Sequence, residues 1–308
     1  MIGWTLMAVA GAVLGGDLVY SRAVAARAAR WEQLQVRGAD GVRQDCASYT
    51  CGTGSVALLL VHGFGSSPAV FQRWSEELAG RGYTCRALRL PGFGEPLAAA
   101  RTVTPEDWRR AVDAEIAQLR RTHDQVWLVG HSMGGALCAE AALRRADDVD
   151  GLVLLAPLCG VSSRRSLGVP PERLFGLRHL LPCTDTLETC FPIHADDRAV
   201  AMLEARDRFV PLNIYEGMFE VMRTGRAAAA QLRQPVWVAA ARADRVGDFE
   251  AARQFADALP HPRSAFVGVS PAGHVLPLDT GWRELCHQAD AFVRGGGSVE
   301  TLHATSLR

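Results

Sequence analysis

The chain has 308 residues, of which 48% are hydrophobic, and its 33 basic residues balance 33 acidic ones. A formal net charge of zero gives no overall field that would draw the protein to nucleic acid, so we expect no nucleic-acid partner. A chain of this length can bury a substantial core. It fits one large α/β domain or a domain with an inserted cap, and we favour the second.

The cysteines indicate neither a metal site nor a fixed disulfide pattern. None of the eight forms a C-x-x-C pair or a Cys/His cluster with zinc-like spacing, so we expect no metal and no cofactor. Three cysteines lie in apolar runs and are predicted to be buried, unreactive thiols: Cys85, Cys138 and Cys159. Two pairs are close enough in sequence to form disulfides in an oxidising compartment, namely Cys46/Cys51 and Cys183/Cys190.

The N-terminus carries an uncharged apolar segment. Residues 2–16 contain no charged side chain, and apolar character resumes briefly after Asp17. This length lies between a signal-peptide core and a membrane-spanning helix. No Lys or Arg precedes the segment, so the positively charged start of a signal peptide is missing. We therefore predict membrane association through residues 2–20, within an N-terminal region 1–39 that ends in a linker.

Three arginines set the orientation that we expect for this segment. Arg22, Arg27 and Arg30 follow it, and the positive-inside bias then leaves the rest of the chain in the cytoplasm. Two other interpretations stay open. Small residues near Ala25 would allow cleavage, which would give an exported or periplasmic domain. The segment could instead be a helix that packs within a soluble protein.

An α/β pattern begins with residues 55–61, an apolar run typical of a parallel strand buried on both faces. It ends in His62-Gly63-Phe64-Gly65, a glycine-rich turn that can point a backbone N–H into a crevice at the sheet edge. A helix over about 69–80, a strand over about 83–90 and a helix that begins near Thr104 follow. Strands that alternate with helices predict a mostly parallel, doubly wound sheet.

The next strand stops at a serine between two glycines. Residues 126–129 are apolar and run into Gly130-His131-Ser132-Met133-Gly134, after which the sequence favours a helix. Strand, sharp turn and helix in this order are the setting of a nucleophile elbow, whose glycines let the strand and helix approach. The start of the helix also presents unpaired N–H groups to a negative charge. We predict Ser132 as nucleophile and the N–H groups of Met133 and Phe64 as an oxyanion hole.

The alternation lapses over residues 160–232, which contain apolar clusters and a helical stretch. Long insertions in compact domains usually serve a function. An insertion at this edge would cover Ser132, so we predict a helical cap that builds a substrate pocket, with Phe64 and His131 in contact with the substrate. The predicted units are then the N-terminal region, the core, the cap and a frayed tail: 1–39, 40–159 with 233–296, 160–232 and 297–308.

Two loops after later strands supply an acid and a base. A strand over about 236–241 is followed by Asp244, where a carboxylate can accept an N–H from a histidine. Asp248 fits better as a helix cap. The last strand, over about 264–269, is followed by His274. We predict His274 as the general base, because the other histidines lack a position just after this strand.

These motifs resemble the α/β-hydrolase superfamily, with Ser132, Asp244 and His274 in the chain order of its catalytic triad. The likeness covers about residues 55–295. The sequences H-G-F-G, G-H-S-M-G-G and G-H-V-L-P-L-D are most similar to the carboxylesterase and monoacylglycerol lipase group. Two departures are Ala241, where relatives often have glycine, and the two cysteines of the cap. Cap-based substrate specificity is therefore not carried over.

The resemblance and the local chemistry imply a serine esterase. His274 would take the proton of Ser132, the serine would attack a carboxylic ester, and water would then hydrolyse the acyl-enzyme. The apolar cap favours a lipid-like or aromatic ester as the small-molecule partner. Acyltransferase, thioesterase, amidase and carbon–carbon hydrolase reactions use the same fold. A non-catalytic, membrane-tethered binding protein is a further alternative, whereas the serine at the elbow disfavours an aspartate nucleophile.

Overall fold

The computed structural model describes residues 2–166, 168–189, 194–195 and 205–295, without the side chains of residues 2–9 and 165. Its helices are α1 (Ile2–Gln33), α2 (Gln72–Ala79), α3 (Leu97–Ala100), α4 (Pro105–Arg120), α5 (Met133–Arg144), α6 (Pro171–Gly176), α7 (Leu212–Ala227), α8 (Phe249–Asp257) and α9 (Trp282–Val293). Its strands are β1 (Tyr49–Cys51), β2 (Val56–Val61), β3 (Tyr83–Leu88), β4 (Gln125–His131), β5 (Gly151–Leu155), β6 (Thr186–Glu188), β7 (Phe209–Pro211), β8 (Val236–Ala241) and β9 (Ala265–Val269). Cys190 and the predicted tail over 297–308 lie outside the described residues.

In the described part of the chain, seven strands form one sheet in the order β1-β3-β2-β4-β5-β8-β9. Neighbouring strands are parallel except at one edge, where β1 pairs antiparallel with β3. The predicted mostly parallel, doubly wound sheet is confirmed, with β1 as an addition to it. Because the central strands are parallel, their carboxyl ends meet at one edge of the sheet. The loops after β2, β4, β8 and β9 therefore come together there.

Both faces of the sheet are buried, which explains the uninterrupted apolar runs of its central strands. In β2, Leu59 belongs to the core on one face, while Leu58 and Leu60 belong to the core on the other. Residues of α4, α5 and α8 cover the first face, and residues of α2 and α9 cover the second. The twofold alternation of a strand thus places an apolar side chain against a helix at every position.

The insertion between β5 and β8 contains a small sheet as well as helices. It holds α6, α7 and an antiparallel pair in which Leu187 of β6 is opposite Val210 of β7. Helix α7 lies close against α5 of the core, because a Cβ on Gly225 would come 2.7 Å from the Cβ of Ala136. The helical stretch predicted within the cap corresponds to α7. The boundaries proposed for core and cap remain predictions.

Helix α1 is continuous over 32 residues and covers both the apolar segment and the residues after it. Its second half packs on the protein, where Val24 and Ala28 are buried together with Phe209 of β7. The ring of Trp31 lies 5.9 Å from that of Phe209, centroid to centroid. Within the described residues, none of the helices combines the length and apolar character that membrane crossing requires.

The described cysteines are free thiols, so a Cys46–Cys51 disulfide is not formed. Instead, Cys46 Sγ accepts a hydrogen bond from the Arg43 guanidinium at 2.8 Å, and the Cys51 thiol donates to a backbone carbonyl at 3.3 Å. Cys183 is also free. Three cysteines are buried as predicted: Cys85, Cys138 and Cys159. Burial raises the pKa of Cys159 to about 12, which keeps its thiol protonated at neutral pH.

Candidate active site

Ser132 occupies the turn between β4 and α5 in a strained backbone conformation, with φ 53° and ψ −120°. A non-glycine residue with positive φ persists only where its surroundings impose it. Glycines on both sides supply that constraint. A Cβ on Gly134 would lie 2.1 Å from the carbonyl oxygen of Val61, and one on Gly130 would lie 2.5 Å from the Cα of Gly135. The strand and helix approach this closely because both positions are glycine.

Three side chains from separate loops form a chain of hydrogen bonds at this edge. His274 Nε2 lies 2.9 Å from Ser132 Oγ, and His274 Nδ1 lies 2.7 Å from Asp244 Oδ2. A carboxylate can only accept, so Nδ1 carries the proton, and Nε2 of the neutral ring accepts from the serine hydroxyl. All three side chains are buried. The structure thus brings together the residues predicted as nucleophile, acid and base.

The imidazole of His274 and two backbone donors keep Asp244 ionised. Its Oδ1 accepts from the N–H groups of Val246 at 2.7 Å and Gly247 at 3.0 Å. Burial acts to raise the pKa of Asp244, but the imidazole of His274 and these donors outweigh it, so the pKa lies below its ordinary value. Asp248 has a different role, because its side chain accepts from two N–H groups in the first turn of α8. The preference for Asp244 over Asp248 as partner of the histidine agrees with this geometry.

Three hydrogen bonds to neighbouring residues hold the loop that carries His274. Asp279 Oδ2 accepts from the N–H of Gly273 at 2.5 Å. The carbonyl of His194, in the cap, accepts from the N–H of His274 at 2.6 Å. His131 Nε2 donates to the carbonyl of His274 at 3.0 Å. Sequence reasoning missed these roles: Asp279 stands out only as the last letter of a motif, and His194 lies in a segment without a readable pattern.

His131 ties the elbow directly to the histidine loop. It follows Gly130 and precedes Ser132, so its contact with the carbonyl of His274 links two of the three loops. Burial, and then the nearby His274, lower the pKa of His131 to about 3. Its ring is therefore neutral at physiological pH, and Nε2 carries the proton that the carbonyl accepts.

The two N–H groups predicted as an oxyanion hole belong to the start of α5 and to the loop after β2. Met133 is the first residue of α5, so its N–H has no acceptor within the helix. Phe64 follows Gly63, and a Cβ on Gly63 would lie 2.9 Å from the Cβ of Ser132, which shows how close this loop comes to the serine. Among the described residues, neither N–H donates to a backbone carbonyl. Both are therefore available to a ligand.

A cavity of about 710 Å³ lies over Ser132, within the size range of small-molecule sites. Phe64, His131 and His274 line it from the sheet edge. The cap contributes mostly apolar side chains, among them Leu174, Phe175, Leu177, Leu181, Tyr215 and Phe219. The rings of Phe64 and Tyr215 lie 4.7 Å apart, centroid to centroid, where core and cap meet. Phe64 and His131 both line this cavity, and their contact with substrate stays a prediction.

Comparison with known proteins identifies the family of the chain. A family model described as serine aminopeptidase, S33 matches residues 55–280, a range that includes Ser132, Asp244 and His274. The pimeloyl-[acyl-carrier protein] methyl ester esterase of Yersinia pseudotuberculosis is 29% identical over 136 residues, which are 43% of this chain and 49% of that protein. The esterase of the same name from Yersinia pestis matches equally well. The chain therefore spans about half the length of these curated relatives.

Solved structures share the fold over most of the chain. A structure from work on the metagenome-derived lipolytic enzymes LipS and LipT has a TM-score of 0.74 at 20% identity and covers 82% of this chain and 99% of its own. The monoacylglycerol lipase of Paleococcus ferrophilus has a TM-score of 0.67 at 20% identity, covering 80% and 98%. A soluble variant of the monoglyceride lipase of Saccharomyces cerevisiae has 0.69 at 14%, covering 82% and 92%. At such identities the likeness shows the fold, which is the predicted α/β-hydrolase fold.

Proposed function

Because the chain belongs to the serine aminopeptidase S33 family of α/β-hydrolases, we propose that it cleaves carboxylic esters through an acyl-enzyme on Ser132. The family is of the serine-hydrolase type, and structures of similar fold include esterases and lipases. The observation that carries the proposal is the chain of hydrogen bonds at the sheet edge. It joins Ser132 to His274 at 2.9 Å and His274 to Asp244 at 2.7 Å, beside a cavity large enough for an ester.

The first half of the reaction acylates the serine. His274 Nε2 accepts the hydroxyl proton as Ser132 Oγ attacks the ester carbonyl. Asp244 stabilises the imidazolium that results, since its carboxylate stays ionised. The N–H groups of Met133 and Phe64 stabilise the negative charge on the former carbonyl oxygen. The tetrahedral intermediate then collapses, and His274 returns the proton to the leaving alcohol.

The second half of the reaction releases the acid. A water molecule takes the place of the alcohol, and His274 accepts its proton while the oxygen attacks the acyl-enzyme. The same N–H groups stabilise the second oxyanion. Collapse regenerates the hydroxyl of Ser132 with the proton held by His274. Two hydrogen bonds of the His274 backbone, one accepted from His131 and one donated to the carbonyl of His194, support this cycle because they keep the imidazole in one place.

The cavity lining favours an ester with an apolar substituent over a peptide with a free amino terminus. A charged ammonium group would need a carboxylate to receive it. Among the described residues that line the cavity, Glu188 is the one carboxylate, and Arg27 and Arg208 pair with it at 2.7 and 2.8 Å. Apolar side chains, leucines most often, make up more than half of the described cap residues that line the cavity. The name of the Yersinia relatives, a methyl ester esterase, supports an ester as the substrate class.

Hydrolysis of p-nitrophenyl esters by the wild type and by Ser132→Ala tests the proposal. Loss of the nucleophile should lower kcat by at least about 10³-fold, as in other serine hydrolases, with an unchanged circular dichroism spectrum. Ser55→Ala, at an exposed position just before β2, is the matched control and should keep kcat within about twofold of the wild type. Undiminished kcat in Ser132→Ala would contradict the proposal.

The same assay separates the other reactions that this fold supports. Thioesters, anilides, a carbon–carbon cleavage substrate and an ester with added acceptor alcohols extend the panel. We expect kcat/KM to be highest for esters, with the free acid as product. A higher kcat/KM for anilides would favour an amidase, and alkyl transfer products would favour an acyltransferase. A wild type that turns over none of these compounds would favour a binding protein.

We further propose that residues 2–20 hold the protein at a membrane surface. Val13, Leu14 and Val19 of α1 are 43%, 48% and 69% exposed, and apolar side chains exposed on a helix favour binding at the membrane interface. The arginines that follow the segment would be attracted to the anionic cytoplasmic leaflet, which supports a cytoplasmic catalytic domain. Flotation with phosphatidylethanolamine–phosphatidylglycerol vesicles should carry the wild type upward and leave a Val13→Asp/Val19→Asp variant behind. Equal flotation of the two proteins would contradict the proposal.

A further inference from the structure

Asp17 is a buried carboxylate next to an uncharged stretch of α1. Residues 2–16 carry no charge, and Asp17 is 3% exposed. Burying a carboxylate is costly unless donors satisfy it. The cap supplies them, because the N–H of Cys183 donates to Oδ2 at 2.7 Å and the hydroxyl of Thr184 donates to Oδ1 at 2.5 Å. Burial acts to raise the pKa of Asp17, but these hydrogen bonds outweigh it and lower the pKa.

Other contacts on the same face of α1 repeat the attachment. The hydroxyl of Ser21 donates to the carbonyl of Cys183 at 2.6 Å, one helical turn after Asp17. Two turns further along, Arg27 pairs with Glu188 of β6 at 2.7 Å. Four polar contacts thus join α1 to the six residues 183–188. The segment is fixed to the helix although the two lie more than 160 positions apart in the chain.

This attached segment is part of the cavity over Ser132. Thr184, Leu187 and Glu188 all line it. Tyr20 of α1 lines it too, and it lies on the helix face that carries Asp17 and Ser21. The N-terminal helix therefore contributes to the cavity twice, directly through Tyr20 and indirectly by holding residues 183–188.

We propose that α1 is a wall of the substrate cavity, with Tyr20 in contact with the apolar substituent of the ester and Asp17 and Ser21 as positioning residues for the segment 183–188. This inference rests on the proposed function, because the substituent belongs to the ester that Ser132 attacks. It names the substrate class as esters with one apolar chain long enough to reach α1. Short esters end before the wall, so only long ones depend on it.

Selectivity for chain length in full-length variants tests the inference. Tyr20→Ala removes the direct contact, Tyr20→Phe keeps its apolar area, and Asp17→Ala releases the cap segment. Val19→Ala is the matched control on the same helix, since Val19 is 69% exposed. The substrates are p-nitrophenyl acetate and octanoate, which vary the acyl chain, and methyl and octyl butyrate, which vary the alcohol. All are used as monomers without vesicles, so that membrane contact does not contribute.

In Tyr20→Ala, kcat/KM should fall about tenfold for the long member of one series, which matches the loss of roughly 50 Å² of apolar burial. Asp17→Ala should also lower the ratio of kcat/KM for the long ester to kcat/KM for the short ester. In both variants kcat/KM for the short member should stay within about twofold of the wild type, as should all values for Tyr20→Phe and Val19→Ala. Long-to-short ratios that do not change in Tyr20→Ala, or that change as much in Val19→Ala, would overturn the inference.

Two further readouts separate failure of this inference from failure of the proposed function. Labelling of Ser132 by a small fluorophosphonate should proceed equally in the wild type and in Tyr20→Ala. If the wild type neither labels nor hydrolyses esters, the proposed function fails, and calorimetric binding of decanoic acid then decides the role of the wall. Tyr20→Ala should bind the acid about tenfold more weakly than the wild type. Equal affinities, or no binding to the wild type, would overturn the inference.

Discussion

The sheet edge and the cap hold their residues in place by different means. At the edge, the backbone fixes Ser132, because Gly130 and Gly134 leave no room for a Cβ and the turn has one conformation. In the cap, side-chain hydrogen bonds between distant segments do the same work, as between Asp17 and Thr184. The edge is buried, whereas leucines of the cap are exposed, such as Leu177 at 57%.

This difference separates the chemistry from the choice of substrate. A substitution at the sheet edge should affect every ester alike, because each one passes through the same hydrogen-bonded side chains. A substitution in the cap or in α1 should change which ester fits and leave the chemical step intact. One fold can therefore serve different substrates when its cap changes.

Asp244→Asn tests the sheet edge with the largest expected effect. The amide offers His274 an N–H as readily as a carbonyl and favours the wrong tautomer, so kcat for p-nitrophenyl acetate should fall by about 10⁴-fold, as in other enzymes with this arrangement. Asp248→Asn is the matched control four residues away, and its loss should stay within about twofold because that side chain caps α8. Equal losses in the two variants would contradict the assignment of Asp244.

Glu140→Ala tests how firmly the cap is attached to the core. Glu140 of α5 accepts from Arg109 of α4 at 2.7 Å and from Thr224 of α7, and it is almost fully buried. Its loss should lower the free energy of unfolding by about 3 kcal/mol, which is the low end of the range for a broken buried ion pair. The low end is expected because Arg109 keeps a second ion pair, with Glu220 at 2.9 Å. Urea denaturation measures this change. Glu250→Ala, which removes an exposed carboxylate, should cost less than about 1 kcal/mol, and a similar cost for both would show that Glu140 does not join the elements.

Acid should destabilise the protein through two buried histidines at the sheet edge, and a buried carboxylate of the cap should partly oppose this effect. Burial lowers the pKa of His62 to about 4, and burial with the nearby His274 lowers that of His131 to about 3. Below about pH 6.5 the unfolded chain therefore binds two protons that the folded chain does not. The free energy of unfolding then decreases as the pH is lowered. Asp207 acts in the opposite sense, because burial raises its pKa to about 6 and the folded chain gains a proton first.

Between about pH 6 and 4.5 the unfolded chain binds one proton more than the folded chain. The free energy of unfolding should therefore fall by about 1.4 kcal/mol for each unit by which the pH is lowered. In Asp207→Asn the fall should steepen to about 2.7 kcal/mol per unit, since only the two histidines remain. Urea denaturation at pH 7.5, 6 and 5 measures both slopes. A stability that does not change over this range in the wild type would contradict the neutral, buried state of the histidines.

The sequence predicts the parts of the molecule that depend on local pattern. Apolar runs that end in glycine-rich turns locate β2 and β4, and the residues just after β8 and β9 identify Asp244 and His274. These signals are readable because a parallel strand buried on both faces leaves a continuous apolar run, and its carboxyl end has a fixed place at the sheet edge.

The parts that depend on distant contacts are not readable in the same way. Strands β6 and β7 have three residues each, too few to show an alternation. The contacts of Asp17 with residues 183–184 join segments more than 160 positions apart, and nothing local marks Asp17 as the anchor of a cap. Tyr20 belongs to a segment whose composition indicates a membrane, so its place in the cavity follows only from the packing of α1.

Peptide mapping of the full-length protein after reaction with a small fluorophosphonate tests the central claim most directly. One adduct per chain should form on the peptide that contains Ser132, and ester hydrolysis should disappear in proportion to it. Asp244→Asn should react far more slowly under the same conditions. Full esterase activity in a protein without the adduct, or an adduct on another serine that accounts for the loss of activity, would contradict the account.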